Sequence, residues 1–175
     1  MPGDGTTHEA FFELRFSPDV ALVASIRRFV GDFYVRLLGN ADVAQGLAMA
    51  THEMLENAVS YSYDQRSEFR ISVRRGVDAA YVALETKNRA TPDRMDLVRR
   101  ALDEVVGATD PAKLYLDQMR RAAKRRDGGS GLGLGRIRAE ADLELEFEID
   151  GEILTLSALG TYPLPASSAA VEEVG

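Results

Sequence analysis

The chain has 175 residues, of which 45% are hydrophobic, and this composition fits one domain built around one buried core. Its net charge of -7 argues against nucleic-acid binding as the main role, because contacts with a phosphate backbone need a basic surface. The absence of cysteine excludes disulfides and thiolate metal sites, and two histidines leave little for zinc. There is no apolar run of bilayer length and no recognisable signal peptide, so we expect a cytoplasmic protein that binds neither nucleic acid nor membrane.

The folded domain is expected to span residues 9–162. The ends of the chain, residues 1–8 and 165–175, consist mainly of small and polar residues with too little apolar surface to offset the entropy of ordering them. We therefore expect two flexible tails around a single domain.

The first predicted elements are a strand at 9–16 and a helix that follows it. Ser17, Pro18 and Asp19 supply an N-cap, a proline at the first helical position and an acid in the first turn. Gly39 is the expected stop. Apolar residues at helical spacing form one stripe on this helix: Val23, Ile26, Val30, Phe33 and Leu37.

The remaining elements follow from changes of period along the chain. Two alternating runs joined by Asp150 and Gly151 are the strongest short hairpin signal. Strands in hairpins with helices grouped between them predict an α+β domain with a mixed sheet. In order, we predict a helix over about 42–61, strands at 68–75 and 79–86, helices at 93–106 and 112–126, a helix ending near Ala141, and strands at 143–149 and 152–159.

Residues 128–135 read GGSGLGLG, between a basic run and the start of a helix. No lysine and hydroxyl residue follow the last glycine, which excludes a Walker A loop, and the glycine spacing differs from a dinucleotide fingerprint. Two interpretations stay open from the residues alone. The stretch is either a hinge, or a backbone segment that approaches an anion at the positive end of a helix.

A second feature lies in the helix at 42–61. Glu53 and Asn57 are four residues apart and so share a helix face, next to apolar neighbours where polar groups are costly unless they serve a purpose. An amide oxygen can hold Mg²⁺, and a carboxylate can orient or deprotonate a nucleophile that attacks a phosphoryl group. This face is the candidate chemical site.

Glu-x-x-x-Asn-Ala on the second helix, followed far downstream by Gly-x-Gly-Leu-Gly-Leu at a helix start, resembles the GHKL ATPase superfamily. The size of the chain resembles the branch of anti-sigma-factor and partner-switching serine kinases. The resemblance covers roughly residues 9–160. It implies the histidine-kinase-like ATPase (Bergerat) fold, a two-layer α/β sandwich whose mixed, mostly antiparallel sheet is covered by helices on one face.

The resemblance also implies roles for particular residues, with ATP and Mg²⁺ as cofactors. Asn57 matches the Mg²⁺ ligand that bridges to the ATP phosphates, and Glu53 matches the general base of the ATP-hydrolysing members. An insert at about 89–130 takes the place of the ATP lid, where basic residues at 124–126 either reach a phosphate or form a solvated face. The glycine box that wraps the phosphates is matched by Gly129, Gly131, Leu132, Gly133 and Leu134.

The chain departs from the family pattern where relatives carry Asp-x-Gly-x-Gly, the motif that receives the adenine amino group. Residues 84–90 contain neither the aspartate nor a glycine. Asn88 is the candidate replacement, since an amide has both a donor and an acceptor, and its alternative is a plain turn residue in a loop at 86–90. Ser60 stands where many relatives have a basic residue.

The sequence leaves two functions open. The first is an ATP-dependent protein serine/threonine kinase acting on a small antagonist protein in a partner-switching circuit. The second is a catalytically silent regulator that keeps the fold and works by binding a protein partner, such as a sigma factor or its regulator. The resemblance further implies a homodimer that pairs through the first strand or the first helix.

Overall fold

The computed structural model describes residues 8–17, 19–64, 66–124 and 132–165, with the side chains of His8 and Val20 left aside. The two predicted tails therefore lie almost wholly outside the described residues. In chain order the elements are β1 (His8–Phe16), α1 (Val20–Leu38), α2 (Ala41–Tyr61), β2 (Ser67–Arg75), β3 (Ala79–Arg89), α3 (Pro92–Val106), α4 (Pro111–Ala122), α5 (Gly133–Ala141), β4 (Glu144–Asp150) and β5 (Ile153–Pro163).

The five strands form one sheet in the order β1-β2-β3-β5-β4, and all four pairings are antiparallel. Two pairs are tight hairpins. The β4-β5 turn uses Gly151 at φ 58°, as the Asp-Gly signal predicts, and the β2-β3 turn is closed by the Gly76 amide donating to the Ala79 carbonyl over 2.8 Å. β3 lies at the centre, so its residues have a partner strand on each side.

One face of the sheet carries the helices. Along β3 buried and exposed residues alternate, because successive side chains of a strand point to opposite faces. Helix α2 packs on β2 and β3, and α3 packs on β4. α3 contributes Met95, Val98, Leu102 and Val105 to the core, whereas α4 has no buried residue. The α+β prediction is confirmed, with one core between the sheet and the helices, whereas the sheet of the described strands is wholly antiparallel rather than mixed.

The start of α1 lies two residues later than predicted, so the acid expected in the first turn is itself the cap and position 18 precedes the helix. Asp19 is the N-cap, in extended conformation, and its carboxylate accepts from the Ala21 amide over 2.8 Å. Ser17 was expected in that role. At the other end Gly39 adopts the left-handed conformation, φ 65°, and its amide donates to the Val35 carbonyl, so the predicted stop is confirmed.

The segment expected to be a loop at 86–90 is mostly strand. β3 continues through Arg89, with Asn88 paired to Ser67 of β2 and to Leu154 of β5. Residues 79–91 contain no glycine or proline, so no strand-breaking residue ends β3 before Pro92. Asn88 therefore enters the site as a strand residue rather than as a turn residue.

Candidate functional site

The candidate site lies where helices α2 and α5 cross in opposite directions. Near the beginning of α2, a Cβ atom on Gly46 would lie 3.5 Å from the carbonyl oxygen of Glu140, close to the end of α5. Farther along α2, the Glu53 carboxyl carbon would lie 3.3 Å from a Cβ atom on Gly133, the first residue of α5. The two helices are therefore antiparallel. Asn57 is four residues beyond Glu53, about 6 Å along the α2 axis. Because the helices are antiparallel, this position is beyond the N-terminal end of α5.

Glu53 is the best-defined side chain of the site. Its side chain is 15% exposed, and its Oε1 accepts from Nη1 of Arg136 over 3.2 Å. The other oxygen, Oε2, lies over the first turn of α5, where a Cβ on Gly133 would approach it to 2.5 Å. A glycine at 133 is thus what allows the carboxylate to rest against the helix start.

Arg136 is a site residue that the motifs did not identify. Its Nε donates to Oε2 of Glu140 over 2.8 Å, and its Nη1 donates to Oε1 of Glu53. The guanidinium is therefore held between two carboxylates. The hydrogen bond to Glu140 is the largest cause that raises its pKa. Tyr115 of α4 lies beside this group, and burial, followed by the charge of Glu140, raises the pKa of its hydroxyl. Glu53 is therefore charge-compensated and anchored to α5.

Asn57 carries an unsatisfied polar atom. Its Nδ2 is buried, and no hydrogen-bond partner is present among the described residues. Among the described residues no side chain caps the start of α5 either: Leu132 occupies the N-cap position without a side-chain hydrogen bond, and no acid lies in the first turn. An orphaned amide donor beside unpaired helix N–H groups suits an anion, since both favour negative charge.

Asn88 lies on the helix-covered face of β3 and is 4% exposed. Directly opposite on β2 is Ser67, 2% exposed, and both Asn88 Nδ2 and Ser67 Oγ lack a partner among the described residues. Ser67 was not identified from the sequence. The Tyr63 amide donates to the Arg89 carbonyl over 3.1 Å, which brings the end of α2 to the end of β3. Asn57 and Asn88 therefore lie at the same end of the molecule.

Helix α4 covers the outer side of α5. A Cβ on Gly135 would overlap the side-chain oxygen of Gln118, an atom that is buried without a partner in the described part of the chain. Leu134 is buried in the core. Of the predicted glycine box, Leu132, Gly133 and Leu134 are at the start of α5, whereas Gly129 and Gly131 fall outside the described residues, as do Arg125 and Arg126.

A sequence model of the histidine kinase-like ATPase domain matches residues 16–157, from the last residue of β1 into β5. The chain belongs to this family. The family predicted from the helix-two and glycine motifs is thereby confirmed, together with its fold. No curated protein shows significant sequence similarity to this histidine kinase-like ATPase domain.

Among solved structures, the histidine kinase-like ATPase domain resembles a chain of the SiaB-SiaC complex from Pseudomonas aeruginosa. The TM-score is 0.63 at 15% sequence identity, and the match covers 85% of this chain and 88% of the other. At that identity the likeness concerns the fold. The described helices include none that is both long and apolar enough to cross a membrane.

Proposed function

We propose that this histidine kinase-like ATPase domain binds ATP with Mg²⁺ and acts as a protein serine/threonine kinase on a small antagonist protein in a partner-switching circuit. The observation that carries the proposal is the orphaned Asn57 amide beside the uncapped start of α5, with Glu53 one turn away. An amide buried without a partner is destabilising by about 1–3 kcal/mol, so a ligand that satisfies it gains affinity at that point.

The residues present fit a phosphate group with its metal ion. Nδ2 of Asn57 is a donor for a phosphate oxygen, and its Oδ1 is the kind of ligand that Mg²⁺ takes. Among the described residues no three histidines, aspartates or glutamates come together as a metal site. One protein amide plus phosphate oxygens and water is a usual way to hold Mg²⁺.

Bound ATP supplies the phosphoryl group, and Mg²⁺ neutralises the charge on its oxygens. The N–H groups at the start of α5 would face the phosphates, and Asn57 would orient them. Oε2 of Glu53 would accept the proton of the substrate hydroxyl as the hydroxyl oxygen bonds to the γ-phosphorus and ADP leaves, while Oε1 stays on Arg136. Phosphoryl transfer depends mainly on positioning and charge, so these few groups suffice.

A protein partner is part of this proposal. The similar fold in the SiaB-SiaC structure belongs to a complex of two proteins. We infer a small antagonist-like substrate, or a sigma factor or its regulator, in the cytoplasm. The acidic balance of the chain favours a protein partner over nucleic acid.

The silent regulator is the second candidate, and one observation favours it. Asn88, which would have to receive the base, is a strand residue with 4% exposure rather than part of a glycine loop. A base that contacts Asn88 would need space near the ends of α2 and β3, which the Tyr63–Arg89 hydrogen bond holds together. In this case the domain works by binding its partner, with nucleotide absent or structural.

The proposal is tested by calorimetric titration of a non-hydrolysable ATP analogue with and without Mg²⁺. Asn57→Ala is expected to abolish the metal-dependent part of binding. Asn40→Ala is the matched control, because Asn40 accepts from the Asp42 and Val43 amides and caps the end of α2 opposite to Asn57. Absence of binding to the native protein at millimolar analogue would overturn the ATP proposal and leave the silent regulator.

Kinase action is tested separately with ATP and the purified product of a neighbouring gene that encodes a small antagonist-like protein. A phosphoserine or phosphothreonine on that protein, lost with Glu53→Gln, is the expected result. Nucleotide binding without transfer to any such neighbour, together with a stable complex, would favour the silent regulator.

The homodimer implied by the resemblance has a specific geometry. β1 is an edge strand, and a second copy can pair with it antiparallel about a two-fold axis through Phe12. Glu9 then lies opposite Arg15 of the second copy, at both ends of the pairing. Centring the axis on Phe11 sets Glu9 opposite Glu13, and centring it on Glu13 sets that residue opposite itself. Centring it on Leu14 also sets Glu13 opposite Arg15, but only residues 12–16 then overlap. Charge together with the full overlap of the two strands therefore selects the first register.

A further inference from the structure

A groove runs between α1 and α2 on the side of the molecule away from the sheet. It encloses about 420 Å³, and small residues line it, among them Ala24, Gly31, Ala44 and Ala48. Val35, also on the groove, is 46% exposed, which is high for a large apolar side chain on a helix that packs against the core. The groove is thus shaped for a narrow apolar segment.

Two cations lie at the end of the groove farther from the α1-α2 turn. Arg27 and Arg28 both line it and both are exposed. In the described ranges no carboxylate makes an ion pair with either of them. An occupant of complementary chemistry carries small apolar residues followed by acids.

The chain itself supplies such a segment at the near end of the groove. The ring of Pro165 lies against Gly39 in the α1-α2 turn, 3.3 Å from the position of a Cβ there. The residues that follow read ASSAAVEEVG. Small apolar residues thus come first, at 169–171, and two acids come next.

The reach of the chain beyond Pro165 matches the distance from Gly39 to the two arginines. From Gly39 back to Arg28 is eleven residues of helix, or about 16 Å at 1.5 Å per residue, and Arg27 is about 18 Å away. Glu172 is seven residues beyond Pro165, which spans up to about 23 Å when extended. Glu172 and Glu173 therefore reach the two arginines with the apolar residues lying over the groove.

We propose that residues 169–173 bind in the α1-α2 groove of their own chain. Ala169, Ala170 and Val171 cover the small residues of the groove, and Glu172 and Glu173 pair with Arg27 and Arg28. The composition of residues 165–175 predicts a flexible tail, because composition alone does not show that the folded domain offers this tail a groove to bind. The intramolecular link makes the interaction independent of protein concentration, and its ion pairs weaken with salt.

The experiment uses the full chain, which has no native cysteine, with a nitroxide label on Ala170→Cys. Amide signals along the groove, in residues 24–35 and 44–48, are expected to lose most of their intensity, and the loss should shrink at high salt. The Glu172→Lys/Glu173→Lys pair should restore the signals. Adding Arg27→Glu/Arg28→Glu to that pair should bring the loss back.

The matched control reverses two acids on the opposite side of the molecule, Glu146→Lys/Glu148→Lys on β4, with the same change of net charge. It should leave the intensity loss in place. Intensity loss on another face, or loss unaffected by reversal at 172 and 173, would overturn the proposal. So would loss of the groove signals when an isotope-labelled chain without nitroxide is mixed with a nitroxide-labelled chain, since a second copy would then be the occupant.

Discussion

Substituting Gly133 by alanine tests how the Glu53 carboxylate is held. The new Cβ would lie 2.5 Å from Glu53 Oε2, whereas ordinary contacts begin near 3.4 Å, so the carboxylate must withdraw by about 0.9 Å. Its Oε1 is 3.2 Å from Arg136 Nη1, so a shift of that size directed away from Arg136 would take the pair beyond hydrogen-bond distance, and we expect this bond to be lost. The backbone of α5 need not move, because the obstructing atom ends a side chain.

The expected effect on stability is small. Alanine favours the helix by up to about 1 kcal/mol over glycine. Loss of a partly exposed ion pair costs about 0.5–1 kcal/mol. The two contributions oppose each other, so urea unfolding of Gly133→Ala should give a free energy within about 1 kcal/mol of the native protein.

The expected effect on phosphoryl transfer is large, because a displacement near 1 Å can cost about 100-fold in rate. We expect a 10- to 100-fold lower kcat in the transfer assay with little change in nucleotide affinity. Gly135→Ala is the control on the same helix, since its Cβ meets Gln118 of α4 instead of Glu53. A loss of more than about 3 kcal/mol in Gly133→Ala, or equal kcat in the two variants, would refute the reasoning.

Three further predictions concern stability and assembly. Arg138→Met should lower the urea unfolding free energy by about 2–4 kcal/mol, because Arg138 is 9% exposed and donates to three carbonyls at the end of α3. Arg136→Met removes a half-exposed side chain and should lower it by under about 1 kcal/mol. Burial raises the pKa of Tyr34, so stability should fall as pH rises above 10, and Tyr34→Phe should remove part of that fall in unfolding measured from pH 9 to 12. In sedimentation, Arg15→Glu should weaken the proposed dimer and Glu9→Arg/Arg15→Glu should restore it; equal dissociation constants would exclude the register.

The sequence located the features that depend on neighbours along the chain. Glu53 and Asn57 share a face because four residues make about one helical turn, and this holds wherever the helix packs. Leu132 marks a helix start because three glycines and the apolar period meet there. The Asp150-Gly151 turn formed as predicted for the same local reason.

Features that depend on distant pairing were not accessible. Arg136 reaches Glu53 across 83 residues, so no spacing rule connects them. Ser67 gains meaning only from the register that sets it opposite Asn88. The strand through Asn88 was misjudged as a loop because its pairing on both sides with β2 and β5 outweighs the weak strand propensity of residues 86–89.

The position of β3 at the centre of the sheet bears on the order in which the protein folds. Its pairing with β2 closes a short turn, whereas Asn88 meets Leu154 only when residues 66 positions apart in the chain come together. Contacts between residues far apart in the chain form late, since loop closure must come first. The β2-β3 hairpin with α2 is thus expected to form before α5 docks on it. A nascent chain that has not yet reached α5 would hold Glu53 and Asn57 on α2 with no helix start for them to face.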